Sequence, residues 1–128
     1  MNERITYWQD LSDYDLETAD AMLFSKRYLY VGFMCHLSIE KIFKAFYVKL
    51  LEINPPKIHS LSVIAQKAGF IDLLDTKFKK LINTLDPLNI EARYPAYKEK
   101  MLKSLNEQSC RNLINQTKEL QSWIKTQL

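Results

Sequence analysis

Glycine occurs only twice in the 128 residues. Two glycines cannot build a phosphate-cradling P-loop, a Gly-x-Gly-x-x-Gly dinucleotide turn or a Gly-x-Ser-x-Gly nucleophile elbow. Those enzyme classes are excluded, and no cofactor is expected. Proline occurs four times. A sandwich or barrel needs many tight turns, so the scarcity of both turn residues disfavours β architectures and favours long helices. The two cysteines, Cys35 and Cys110, lack the Cys-x-x-Cys spacing of a metal or redox site and lie in apolar helical patterns. They read as buried free thiols. No apolar run approaches the ~20 residues that span a bilayer, and the N-terminus is acidic and aromatic rather than a basic-then-apolar leader. A cytoplasmic location with no membrane association is expected. The formal net charge of +3 is too small to indicate nucleic-acid binding by itself.

The remaining composition is that of one globular domain over residues 1–128, with 47% hydrophobic and 26% charged residues. Apolar residues at helical spacing predict a first helix from about Thr6 to Ser25, marked by Trp8, Leu11, Ala19, Met22 and Leu23. The second, about Tyr28 to Leu51, is apolar around most of its circumference, which suits a central helix or a subunit interface. Asn54-Pro55-Pro56 stops it. Ser60 suits the N-cap of a short third helix through Ala68, ended by Gly69. A fourth follows, about Asp72 to Leu85, broken by Asp86-Pro87. Leu88 to Leu102 reads as a long loop. Ser104-Leu105-Asn106-Glu107 then opens the last helix as a capping box. No repeat or low-complexity segment occurs. The expected class is all-α: an antiparallel up-and-down bundle of about five helices.

Three places carry candidate chemistry. His36, Glu40 and Lys44 stand four residues apart on the second helix and so share one face. They form either a solvated edge with weak pairing or a ligand and interface stripe, with Lys41 and Lys44 facing phosphate. A di-metal bundle site wants Glu-x-x-His pairs, and His36-x-x-x-Glu40 differs, so no metal is expected. His59, just ahead of the third helix, either caps or packs beside it or contacts phosphate. Arg93-Tyr94-Pro95 lies in the long loop with Tyr97 and Lys98 near. Arg93 offers a bidentate fork for phosphate and Tyr94 a stacking face. The alternative is a structural Arg93 tied to Asp13 or Asp15.

Taken in order, these segments resemble the HEPN family of nucleotide-binding domains. Trp8 with Asp15-Leu16 and Ala19 is similar to the family's first helix. His36-Leu37-Ser38-Ile39-Glu40-Lys41-Ile42-Phe43-Lys44-Ala45 is similar to its central helix and is the most specific mark. Pro56 with His59-Ser60-Leu61 resembles its Pro-x-x-His-x-Leu turn, Ala92-Arg93-Tyr94-Pro95 its following loop, and Glu119 to Ile124 its last helix. The likeness covers about residues 8 to 125. It implies a homodimeric helical bundle and a minimal nucleotidyltransferase partner, the two acting as a toxin–antitoxin-like pair, with nucleotide or RNA as ligand. It also implies metal-independent RNase activity in members that carry Arg-x(4–6)-His across the dimer. Here the corresponding positions after Arg93 are Lys98, Glu99 and Lys100. The motif is not intact, so nucleotide and partner binding is the first expectation. An RNase with a diverged site using Arg93, His59 or His36 is the alternative, and a purely structural interaction domain is a third reading.

Overall fold

The computed structural model describes residues 2–91, 94 and 103–128. Among them five α-helices form the fold: α1 (Glu3–Phe24), α2 (Tyr28–Leu51), α3 (Leu61–Ala68), α4 (Thr76–Glu91) and α5 (Glu107–Gln127), with a 3-10 turn at Ile71–Leu73. The ends obey local chemistry. The Asn2 side chain accepts from the Arg4 amide at 2.9 Å and starts α1. The Ser60 hydroxyl accepts from the Val63 amide at 3.4 Å and starts α3. Gly69 closes α3 in the left-handed region at φ 83°, where a side chain would be strained.

Helix α2 is the hub and packs against each of the other four helices. Val31, Cys35, Ile39, Ile42, Phe43, Ala45 and Val48 on it are fully buried. Phe43 and Phe46 meet Phe70 with ring centroids 5.0 and 4.7 Å apart, which pins the chain leaving α3 to the core. The bundle therefore covers most of the apolar circumference of α2 with its own chain, while Tyr30, Leu50 and Leu51 at its two ends stay in solvent. The other large apolar side chains in solvent among the described residues are Phe24, Tyr14, Tyr7, Ile53, Leu73 and Tyr94. No helix among the described residues is long and apolar enough to cross a membrane. Both cysteines are free and buried, and burial pushes the Cys35 thiol up to about 12 and Cys110 up to about 11.

Three boundaries differ from the sequence expectation. Residues 71–73 form the 3-10 turn, and α4 begins at Thr76 because the Asp75 carboxylate caps the Phe78 amide at 2.8 Å. Helix α4 runs through Pro87 to Glu91 rather than stopping at Leu85. Proline removes one helical hydrogen bond and crowds the preceding turn, at ~3 kcal/mol. Burying a leucine offsets much of that, at ~1.5–3 kcal/mol, and Leu88 is 6% exposed. Leu88 fits there because residue 32 is glycine: a Cβ at Gly32 would stand 2.8 Å from the Leu88 Cδ1. The last capping box is Asn106 with Ser109, not Ser104 with Glu107; the Ser104 carbonyl instead accepts from the Ser109 hydroxyl at 3.1 Å. The expected loop from Leu88 thus begins later. Most of it, with Arg93, Pro95, Tyr97 and Lys98, lies outside the described residues.

Candidate functional site

The stripe on α2 is not a solvated edge. His36 is 0%, Glu40 2% and Lys44 6% exposed. Charged groups are rarely buried this far without partners, and Glu40 organises the partners. Its Oε2 accepts from Lys44 Nζ at 3.1 Å and its Oε1 from His59 Nδ1 at 3.0 Å. His36 Nδ1 is 3.9 Å from the same Oε1, an ion-pair distance but too long for a hydrogen bond, and this buried nitrogen has no hydrogen-bond partner among the described residues. The opposite nitrogen, His36 Nε2, lies 3.3 Å from Asp86 Oδ1.

Asp86 ties the chain to two further helices. Its Oδ1 also accepts from the Leu61 amide at 2.8 Å and its Oδ2 from the Ser60 hydroxyl at 3.5 Å. The carboxylate sits at the N-terminus of α3, where the helix dipole favours negative charge. Asp86-Pro87 therefore does not break α4; it presents a carboxylate from inside that helix to the start of α3.

His59 is where the chain reaches water. Its side chain is 59% exposed while that of its partner Glu40 is 3% exposed. An ionised carboxylate only accepts, so Nδ1 carries the proton toward Glu40 and the other ring nitrogen is left as the chemically available one. His59 does not cap α3, since Ser60 and Asp86 do. A buried carboxylate that orients an exposed imidazole is an arrangement suited to holding a phosphate or moving a proton.

Two grooves flank this chain. One, of about 570 Å³, is lined by His59, Ser60, Asn83, Asp86, Pro87 and Asn89. The other, of about 560 Å³, is formed by the start of α1 and the segment after α2, with Arg4, Tyr7, Trp8 and Lys57 around it and Lys44 in its wall. The Lys44 ammonium stands 5.5 Å from the Trp8 ring centroid, a cation–π distance. The Arg4 guanidinium holds the far bank by donating to Asn54 Oδ1 at 3.0 Å and to the Glu52 carbonyl at 3.3 Å.

Of the residues singled out from sequence, the fold brings His36, Glu40, Lys44 and His59 together. It takes Lys41 elsewhere: Lys41 Nζ donates to Asp15 Oδ2 at 2.9 Å, across to α1. Arg93 is outside the described residues, and Tyr94 is 55% exposed. The two acids offered as structural partners for Arg93 already have others. Asp15 holds Lys41, and Asp13 accepts from Lys125 at 2.6 Å and Gln121 at 2.9 Å. Sequence reasoning missed Asp86, Arg4 and Lys57. The proline after Asp86 carries a helix-stop signal that hides the carboxylate's role. Arg4 and Lys57 are 53 positions apart by their numbers, and no periodicity links them. Among the described residues no group of three His, Cys, Asp or Glu side chains is placed to hold a metal ion.

Comparison with known proteins adds a family and a fold. The model of the HEPN domain family matches residues 5–127. No curated protein matches the chain. Among solved structures, the crystal structure of TT1696 from Thermus thermophilus is similar, with a TM-score of 0.83 at 16% identity over 100% of both chains. At that identity the likeness is one of fold.

Proposed function

The chain belongs to the HEPN domain family, and from that premise we propose that it is a nucleotide- and partner-binding module. In this reading residues 1–128 are one domain that acts as a cytoplasmic homodimer beside a minimal nucleotidyltransferase, the two forming a toxin–antitoxin-like pair. The binding residues in this reading are Glu40 with His36, Lys44 and His59, together with the Arg93 and Tyr94 that the sequence singles out.

One observation carries the reading: charge is buried where an apolar core would cost less. Ion pairs inside a protein bring several kcal/mol of desolvation per ion and often lose to well-packed hydrophobic residues of similar volume. Glu40 and Lys44 are nonetheless held at 2% and 6% exposure and end at a solvent-facing imidazole. A site for a phosphate-bearing ligand is a use that accounts for that cost. Calorimetric titration of the protein with ATP tests it. Saturable binding that is lost in His59→Ala, with the fold retained, supports the reading; heats equal to buffer dilution up to millimolar ATP refute its nucleotide half. The partner half is tested by the neighbouring reading frame and by co-purification with its product.

A second reading has its own observation. The Glu40–His59 pair leaves one imidazole nitrogen facing outward, the geometry of a carboxylate-oriented general base. That favours a metal-independent RNase with a diverged site. Cleavage of single-stranded RNA in the presence of a metal chelator, abolished by His59→Ala, distinguishes it from binding alone.

A further inference from the structure

We infer that the groove between the start of α1 and the segment after α2 is the seat of a free mononucleotide, with the base against Tyr7 and Trp8 and the phosphate between Arg4 and Lys57. This rests on the nucleotide half of the reading above and adds a second seat beside the His59 end: the two grooves are separate, and Lys44, bonded to Glu40, stands in the wall of this one.

The groove combines what a planar ring bearing a phosphate requires. Tyr7 is 58% exposed, and its ring meets that of Trp8 edge-on at 5.2 Å, so two aromatic surfaces line one wall. Bases stack on such rings whatever their identity. Arg4 spends donors on Asn54 and Glu52, which fixes the guanidinium in place. A guanidinium carries five N–H donors, so others remain for an oxyanion. Lys57 is exposed on the same groove and bonds to no other described residue. The one acid in the lining is Glu3, against the three cations Arg4, Lys44 and Lys57.

The inner wall is the second independent feature. The Lys44 side chain is 7% exposed, yet it lines the groove, and Glu40 is its one hydrogen-bond partner among the described residues. An ammonium has three donors. A nine-tenths-buried cation with donors in hand, flanked by an indole ring, is a polar anchor at the back of an otherwise apolar recess. The volume of about 560 Å³ lies within the range of small-molecule pockets and suits a single nucleotide.

The test uses the whole chain and AMP as the probe, with affinity read by calorimetry. Lys57→Ala should weaken AMP about fivefold or more and Tyr7→Ala about tenfold, from the loss of one charge-assisted contact and one stacking face. Both side chains are exposed, so neither change threatens the fold. Ribose 5-phosphate, which has no base, should bind more weakly, respond to Lys57→Ala and be indifferent to Tyr7→Ala. Lys80→Ala, on an exposed face of α4, should leave AMP binding unchanged. If the wild-type protein binds AMP and neither groove variant changes the affinity, the seat is elsewhere and only this inference falls. If no nucleotide binds the wild-type protein at all, the nucleotide reading falls with it.

Discussion

Helix α2 carries two buried polar seams, one toward α1 and α5 and one toward α3 and α4. In the first, Ser12 Oγ donates to the Ser38 carbonyl at 2.7 Å and Ser38 Oγ to the Ser12 carbonyl at 2.9 Å. Gln121 Nε2 donates to Ser12 Oγ and to Asp13 Oδ1, each at 2.9 Å. The serines and Gln121 at its centre are neutral, and the charge on this side is held in two closed pairs, Asp13 with Lys125 and Asp15 with Lys41. The second seam is reversed. Glu40, Lys44 and His36 are inside, and a histidine is outside. Neutral seams with every hydrogen bond made fix the angle of two helices at little cost. Charged seams bring a desolvation penalty, so the second should be both more fragile when cut and more consequential at its open end.

Cutting the charged seam at its centre should have the largest effect. Glu40→Ala leaves Lys44 as a buried cation without a counter-ion and removes the partner of His59. A loss of about 3–5 kcal/mol is expected, against a total stability of about 5–15 kcal/mol for a domain. Urea unfolding followed by circular dichroism measures it. A loss below about 1 kcal/mol would mean that water reaches Lys44 and that the seam is not dry.

The neutral seam should break more gently. Ser12→Ala removes the donor to the Ser38 carbonyl and the acceptor for Gln121, at about 1–2 kcal/mol. If this variant is hurt more than Glu40→Ala, the ranking of the two seams is wrong.

How much of this was legible beforehand follows the range of the forces. The span of α2 and the cap-to-glycine bounds of α3 are written in neighbouring residues, and the structure has them where the sequence placed them. The end of α4 is not written locally. Asp86-Pro87 carries a stop signal, overridden by Leu88 against Gly32 and by the Asp86 carboxylate on α3, contacts made across about 25 to 56 positions. The four-residue spacing of His36, Glu40 and Lys44 showed a shared face but not that the face is buried. Burial depends on which helices cover it. The groove has no sequence signature, because Arg4 and Lys57 meet only after α1 and α2 have paired.

A smaller effect separates the core thiols from both seams. Burial raises Cys35 to about 12 and Cys110 to about 11 from an ordinary 9. A thiol raised on folding contributes stability that is complete below pH 9 and is lost as pH climbs toward the folded value. By pH 10 the cost should be about 1 kcal/mol for Cys35. Urea midpoints of wild type and Cys35→Ala, compared between pH 7.5 and 10, isolate that part. A wild-type decline no steeper than that of the variant would place the thiol in a wetter site.

The smallest stability effect should come from the open end of the charged seam, and it decides what that seam is for. His59 is bonded to Glu40, so a purely structural network would suffer when it is removed. The imidazole is 59% exposed, however, and Glu40 keeps Lys44 as its partner. Exposed partners of an ion pair contribute between nothing and about 1 kcal/mol. His59→Ala should therefore shift the urea midpoint by no more than that amount, while ATP binding falls at least about tenfold, as loss of a charge-assisted contact to phosphate implies. His59→Gln keeps a donor but cannot carry a proton. Binding retained in His59→Gln assigns the residue to holding phosphate. RNA cleavage lost equally in both variants, with ATP binding kept in His59→Gln, assigns it to proton transfer. A stability loss approaching that of Glu40→Ala, with binding unchanged, would make the second seam as structural as the first and would end the contrast between them.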